Sequence, residues 1–190
     1  MTGESNVSEE STDRLVAANR SYFGLKIQLN SQLLSSKTKI LICKTLMKPI
    51  LDIRCRNVDY GKNDEIRLSI FERKPFRRIY GPICEGGQWW KRYNRELEEL
   101  YNKPNIVNAI KSSRLKWAGH VVQMDENELP IQILWTNPGG QRGRGRPKSR
   151  WIDGVQEDAR KLGCRNWRAD VQDRGRWRHL LEETKAHPGL

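Results

Sequence analysis

The spacing of apolar side chains limits the fold of this chain more than any other feature. Between residues 8 and 30 they recur three or four positions apart, as on one face of an α-helix. The members of this face are Leu15, Ala18, Tyr22, Leu25 and Leu29. Similar spacing returns later, and no segment shows the strict alternation of a half-buried strand. The fold is therefore predicted to be mainly α, made of several short amphipathic helices.

Capping residues and prolines predict where the first helices end. Residues 1–7 are expected to be disordered, and Ser8 is expected to cap the first helix. Ser35 and Ser36 should cap a second helix, which Pro49 should limit because proline removes a backbone donor.

The middle of the chain is predicted to continue with helices. One begins near Asn63, with Ile66 and Ile70 on one face and Phe71 beside them, and Pro75 should kink or stop it. "GPICEGGQ" is expected to be a loop. "WKRYNRELEELYN" should be a helix whose inward side chains are Tyr93, Leu97, Leu100 and Tyr101. Another helix starts at "PNIVNAI" and either continues through "RLKW" or restarts there.

The domain organisation follows from these segments. Residues 8–124 are predicted to be a helical region in which 52–62 is irregular. Residues 125–148 are polar, rich in proline and glycine and then basic, and are interpreted as a linker. Residues 149–187 should form a C-terminal helix pair.

Capping signals define that helix pair. Ser149 is expected to cap its first helix, Gly163 to end it, and Asn166 to cap the second. The apolar stripe of the second helix is Trp167, Val171, Trp177 and Leu181.

The charge balance points to a polyanionic partner. The net charge is +12 and the isoelectric point is about 9.8, and neutralising phosphates with Lys and Arg releases counterions. The apolar runs are too short for a membrane helix, and no basic amphipathic helix indicates membrane binding. The four cysteines lack metal-ligand spacing, so reduced thiols, an intracellular location and no cofactor or small-molecule substrate are expected.

The strongest concentration of charge is "GGQRGRGRPKSRW", residues 139–151, which holds five cations and no acid. Three interpretations fit it: an AT-hook centred on "RGRP" that reads the minor groove, a loop that grips phosphates, or a solvated linker. The residues alone leave the three interpretations open. The candidate contacts of this segment are Arg142, Arg144, Arg146, Lys148 and Arg150.

Further candidates lie on the predicted helices. In "RLKWAGHVVQM", Arg114 and Lys116 are candidate phosphate contacts, whereas Trp117 and His120 are interpreted as core and helix-boundary residues. Arginines should give the C-terminal pair a cationic outer surface, and its candidate contacts are Arg165, Arg168 and Arg176, flanked by Arg174 and Arg178. The pair "WW" at residues 89–90 is a candidate for stacking on unpaired bases.

Four ordered motifs resemble a known family: "RSYFGLKIQLNSQLLSSKTKILICKTLMKPIL", "FERKPFRRIYGP", "RLKWAGHVVQMDENELP" and "GRGRPKSRWIDGVQEDARKLGCRNWRADVQDRGRWRHLLEETKAHPGL". They resemble the C-terminal part of non-LTR (LINE-type) retrotransposon reverse transcriptases of arthropods, from about residue 6 to the chain end. The resemblance implies a thumb-like helical bundle, a basic loop and a C-terminal extension. Its implied partners are RNA or DNA, through the phosphate backbone, and the rest of the polymerase.

The resemblance also implies what the chain lacks. The family's Tyr-x-Asp-Asp palm turn, which holds two catalytic metal ions, is missing, as is its N-terminal endonuclease. A non-catalytic nucleic-acid-binding fragment, nuclear or cytoplasmic, is therefore expected. The alternatives are a stand-alone AT-hook-like protein and a decayed reading frame without function. A restriction-like endonuclease built on "ETK" at residues 183–185 is the enzyme alternative, although a helix is predicted there.

One segment departs from the family pattern. Where the family reads approximately "TYGxETWTxxK", this chain reads "DIRCRNVDYGK". A coding sequence for this peptide exists whose next reading frame gives "TYGVETWTMA". The hypothesis is that two compensating frameshifts flank residues 52–62.

Overall fold

The structure, a computed structural model, describes residues 3–52, 61–136 and 150–186. These residues are mainly helical, which confirms the predicted fold class. They form two compact units divided between Val107 and Asn108. The sequence placed the division after residue 124 instead, and the structure groups the intervening residues with the C-terminal helices because they share one apolar core.

The first unit combines helices with a two-stranded hairpin. Its elements are α1 (Gly3–Gly24), α2 (Lys26–Asn30), α3 (Ser36–Ile42), a π-helical segment (Cys43–Met47), α4 (Lys48–Asp52), α5 (Lys62–Tyr80), β1 (Ile83–Glu85), β2 (Gln88–Trp90), α6 (Asn94–Tyr101) and the start of α7 (Ile106–Val122).

The first apolar face is confirmed, but its helix begins earlier than predicted. Four of the five expected members are buried: Leu15, Ala18, Tyr22 and Leu29. Leu25 is half-buried. Because α1 already begins at Gly3, the expected N-cap at Ser8 is wrong, and residues 3–7 are helical rather than disordered.

Neither proline ends its helix as predicted. Ser35 does cap α3, accepting a hydrogen bond from the backbone N–H of Thr38 at 3.2 Å. The chain then passes through the π-helical segment, whose wider turn precedes Pro49 and relieves the clash of its ring with the preceding turn. Pro75 lies inside the uninterrupted α5 with its ring buried. The free energy gained by this burial offsets part of the cost of the missing backbone hydrogen bond.

α5 turns a different face inward from the one expected. Ile66 and Ile70 are exposed, whereas Leu68, Phe71 and Phe76 are buried. The expectation for the two isoleucines is wrong because the aromatic side chains, which bury more area, define the inward face of the helix.

The segment "GPICEGGQ" forms a hairpin where a loop was predicted. β1 pairs antiparallel with β2 through Ile83 and Trp90, Cys84 and Trp89, and Glu85 and Gln88. The two-residue turn is Gly86–Gly87, with φ values of 57° and 83°. Positive φ at both positions is what a type I′ hairpin turn requires, so the double glycine was a strand signal that the prediction missed.

The helix predicted in "WKRYNRELEELYN" is confirmed as α6, but fewer of its side chains face inward than expected. Leu97 and Tyr101 of α6 are buried, whereas Tyr93 and Leu100 are exposed. The ring of Tyr101 packs on Phe76 at a centroid distance of 4.3 Å. This contact joins α6 to α5.

The second unit is helical throughout its described part. Its elements are the remainder of α7, α8 (Leu129–Trp135), α9 (Trp151–Lys161), α10 (Trp167–Gln172) and α11 (Arg174–Ala186). α7 continues without a restart at Trp117. α8 lies in the predicted linker, where a proline in the first turn and the buried Ile131 support a short helix.

The ends of α9 only partly match the prediction. The N-cap is Arg150, whose backbone N–H donates to Asp153 Oδ2 at 2.8 Å, and the expected cap, Ser149, lies outside the described residues. Gly163, with φ of 79°, follows the helix as predicted.

The last predicted helix is divided into α10 and α11. Asp173 separates them, and its Oδ1 accepts hydrogen bonds from the backbone N–H groups of Gly175 at 2.9 Å and Arg176 at 3.1 Å. An aspartate that satisfies two first-turn donors starts a new helix. Asn166 precedes α10 without a side-chain capping bond.

A continuous apolar core holds the second unit together. Its fully or nearly buried members are Leu115, Ala118, Val122, Val155, Ala159, Cys164, Trp167, Val171, Trp177 and Leu180. Trp151 and Leu181 pack against it from partly buried positions. The predicted stripe of Trp167, Val171 and Trp177 is therefore confirmed as core.

Candidate nucleic-acid interface

Most of the predicted basic segment lies outside the described residues. This applies to Arg142, Arg144, Arg146 and Lys148. Arg150 is described, and it is exposed at the start of α9.

Arg114 does not face solvent, which corrects its place among the candidate contacts. It is 4% exposed, and its guanidinium is paired with the equally buried Asp158 of α9, with Nε 3.1 Å from Oδ2. Burial raises the pKa of Asp158 above its ordinary value, and the neighbouring Arg114 charge opposes only part of this rise. A guanidinium held in this way stabilises the second unit and is not available to a phosphate.

Lys116 lines a groove that the sequence did not reveal. The groove has a volume of about 550 Å³ and lies between α7 and α11. Its lining includes Lys116 and His120 from α7 and the cations Arg174 and Arg178 from α11. Each pair is four positions apart, which places both members on one face of its helix.

The three cations that line the groove are exposed. Lys116, Arg174 and Arg178 form no ion pair with another described residue. Glu182 is the acid among the lining residues. His120 stands in the last turn of α7, exposed, with its ring 5.5 Å from that of Trp117.

Close packing of α7 against α11 forms the floor of the groove. A Cβ atom placed on Gly119 would lie 2.0 Å from Nε1 of Trp177, so only glycine fits at this position. Trp177 is buried beneath the groove, and Gln123 Nε2 donates to the carbonyl of Val171 at 2.7 Å beside it. These contacts position the two cationic faces opposite each other.

The three remaining candidates lie on α10, α11 and the turn before them. Arg165 is exposed. Arg168 lies over the ring of Trp135 at 4.0 Å from the centroid, an arrangement in which the guanidinium is attracted to the aromatic face. Arg176 is exposed and binds Asp170 Oδ1 through Nε at 2.9 Å. Arg168 and Arg176 therefore have structural contacts, and Arg165 is the least constrained of the three.

Sequence reasoning missed part of the groove. His120 was interpreted as a helix-boundary residue, and Arg174 and Arg178 were placed on the outer surface without being joined to Lys116. Their spacing of four within each helix was a readable signal. The pairing of α7 with α11, more than fifty residues apart, was not.

Two observations on the described residues bear on metal and hydrolytic chemistry. No cluster of three metal-ligating side chains occurs among the residues that the structure describes. In the "ETK" triplet, Thr184 is fully buried in α11 and donates to the carbonyl of Leu181 at 2.6 Å. The predicted helix at this triplet is confirmed, and the endonuclease alternative requires a strand end there instead.

No family model matches this chain, and no curated protein or solved structure matches it significantly. Within the described ranges, no helix has both the length and the apolar character needed to cross a membrane.

Proposed function

We propose that the chain is a non-catalytic nucleic-acid-binding protein that holds the phosphate backbone of RNA or DNA in the groove between α7 and α11. The presence of Lys116, Arg174 and Arg178 together in one groove, without ion-pair partners among the described residues, is the observation that supports this most. Four further cations of the segment 139–151 belong to the same half of the chain and are expected to add phosphate contacts.

The chemistry of the groove suits phosphate better than a base edge. Guanidinium and ammonium groups bind phosphate oxygens by charge-assisted hydrogen bonds, which are stronger than neutral ones. The facing helices present these groups as two short rows rather than as one projecting recognition helix. We therefore expect contacts that position the nucleic acid without reading its sequence.

The motifs quoted above support a more specific proposal about origin. We infer that the chain corresponds to the thumb and following extension of a non-LTR reverse transcriptase, with RNA or DNA and the rest of the polymerase as partners. The support is the order and length of the sequence motifs and the mainly helical fold.

A salt titration tests the binding proposal. The affinity of the chain for a mixed-sequence duplex, an A-tract duplex and an RNA hairpin should fall steeply with salt. In B-DNA, the slope of the logarithm of the binding constant against the logarithm of the salt concentration is about −0.9 for each phosphate neutralised. Lys116→Ala combined with Arg178→Ala should reduce the slope by about 2. Arg160→Ala is the matched control, because Arg160 is exposed on α9 and does not line the groove.

Three outcomes separate the alternatives. Equal loss of affinity for all three nucleic acids in the double variant supports a backbone grip in the groove. A preference for A-tracts that Arg146→Ala abolishes would transfer the function to an AT-hook. Absence of binding at low salt would overturn the proposal and favour a decayed reading frame.

A further inference from the structure

The hairpin of the first unit carries exposed aromatic side chains without a role in the fold. Trp89 is 70% exposed, Trp90 is 56% exposed and Tyr93, three residues beyond, is 77% exposed. Tryptophan usually gains stability by burial, and here the described part of the chain leaves two adjacent ones in solvent. Their exposure therefore needs a partner to explain it.

The geometry of the hairpin makes both tryptophans accessible at once. Successive strand residues project to opposite faces, so Trp89 and Trp90 present one ring on each side of a two-stranded ribbon. Opposite them across the ladder stand Cys84 and Ile83, which are too small to cover an indole.

The ribbon is held in a defined position before any ligand binds. The type I′ turn closes one end, and at the other end Arg92 Nε donates to the carbonyl of Gly81 at 3.1 Å. Gly81 itself has φ of 65° and ends α5. A rigid aromatic platform loses little conformational entropy when it binds.

The neighbouring side chains favour a planar, negatively charged partner. Lys91 follows Trp90 directly and is exposed, and the segment 77–95 contains five Lys and Arg residues and one acid, Glu85. Glu99, on the following helix, is paired with Arg95 at 3.0 Å. Among the described residues, the ribbon combines two exposed flat rings with the exposed cation Lys91, a stacking surface beside a phosphate contact of the kind that single-stranded nucleic acid uses.

We propose that this hairpin stacks unpaired bases of a single-stranded nucleic acid against Trp89 and Trp90, while Lys91 contacts the adjoining phosphate. Aromatic stacking tolerates any base, because every base has a flat face. The inference rests on the proposed nucleic-acid function, but it assigns a different ligand form, single-stranded rather than duplex, to a different unit of the chain.

Comparison of single-stranded and duplex ligands tests the assignment with the full chain. Binding of a labelled oligo-dT of 20 nucleotides and of a duplex of the same length is measured at one salt concentration. Trp89→Ala combined with Trp90→Ala should weaken oligo-dT binding by roughly tenfold or more for each ring lost, and duplex binding should change less than about twofold. Trp89→Phe with Trp90→Phe keeps a flat ring at each position and should recover most of the affinity. An unchanged melting temperature shows that the variants remain folded.

The outcomes distinguish this inference from the proposed function. If the wild type binds no nucleic acid, the proposed function fails. If it binds both forms and the alanine variant binds oligo-dT as tightly as the wild type, only the hairpin assignment is overturned. Equal weakening toward both ligands would also overturn it. Tryptophan-dependent binding to phosphatidylcholine vesicles, with oligo-dT binding unaffected, would assign the ribbon to a lipid surface instead.

Discussion

The two units have the same net charge but use their cations differently. Residues 1–107 contain 19 Lys and Arg against 13 Asp and Glu, and residues 108–190 contain 16 against 10, so each half has an excess of six positive charges. Net charge alone therefore does not distinguish the two halves as candidates for binding a polyanion. The partners of the individual cations do.

In the first unit, cations of α5 connect neighbouring helices. Arg67 donates to Thr12 of α1 at 3.2 Å, and Lys74 donates to Asn19 at 2.9 Å while lying over the rings of Tyr22 and Phe23. Arg77 and Arg78 bind side chains of two other segments, Asn94 and Asn30 respectively. These cations contribute to the fold.

In the second unit, the cations fall into two classes. Arg114 is buried in an ion pair that the core surrounds, whereas Lys116, two residues later on the same helix, faces the groove. Two positions that lie only two residues apart on α7 thus hold a structural cation and a candidate ligand contact. The predictions below test this separation.

The largest expected effect is the loss of the buried pair. Arg114→Ala leaves the Asp158 carboxylate buried without its partner, so we expect a loss of about 3–5 kcal/mol in the free energy of unfolding. Chemical denaturation followed by circular dichroism measures this loss. Arg160→Ala, an exposed change of the same type, should stay within about 0.5 kcal/mol of the wild type.

Replacing both partners tests the reason for that loss. Arg114→Met with Asp158→Leu removes both charges of this buried pair, and we expect much of the lost stability to return. A double variant as unstable as Arg114→Ala would show that packing, rather than an unpaired charge, determines the effect.

The close approach of α7 and α11 gives the next largest effect. Gly119→Ala gains helix propensity, about 1 kcal/mol, but its Cβ would meet Trp177 at 2.0 Å, a contact with the rigid ring. We expect a net destabilisation of about 1–3 kcal/mol, the usual cost of overpacking, measured as a shift of the denaturation midpoint. Gly24→Ala is the control, because nothing lies within 4 Å of an added Cβ there. Equal stability of the two variants would contradict the packing described for the groove floor.

The sequence predicted much of the fold because helix periodicity is a local signal. The apolar face of α1, the cap at Ser35 and the core role of Trp167 and Trp177 all follow from spacing within one helix. Pro49 misled the prediction because the preceding π-helical turn, which tolerates it, leaves no clear mark in the sequence.

The candidate site was less predictable because it depends on contacts between distant segments. In the sequence, Arg114 and Lys116 look alike, because both are basic residues of one short motif. Only the fold shows that Arg114 pairs with Asp158, forty-four residues later. The groove likewise requires α7 and α11 to pack, which Gly119 permits. The net charge of the sequence predicts a polyanionic partner, but it does not locate a candidate site.

A matched pair of arginine variants distinguishes the roles of cations in the two units. Arg77→Ala removes a hydrogen bond to Asn94 in the first unit and should cost about 0.5–1.5 kcal/mol of stability, with duplex affinity at low salt nearly unchanged. Arg178→Ala should leave stability within about 0.5 kcal/mol and weaken duplex binding several-fold, reducing the salt slope by about 1. Thermal melting and fluorescence anisotropy measure the two quantities on the same samples. The reverse pattern would place the duplex-binding surface in the first unit.

The smallest expected effect concerns cysteine reactivity. It reports on the interior of each unit and requires no substitution. Burial raises the pKa of Cys43 in the first unit to about 11, and burial together with the Asp170 carboxylate raises the pKa of Cys164 in the second to about 12. Both thiols should remain protonated at pH 8 and react slowly with iodoacetamide, because only the thiolate is nucleophilic. Cys84, exposed on β1, should be labelled before both of them. Peptide mapping by mass spectrometry gives the order, and in denaturant the labelling of Cys43 and Cys164 should accelerate to match that of Cys84. Early labelling of Cys164 in the folded chain would show that the core of the second unit opens more readily than its packing implies.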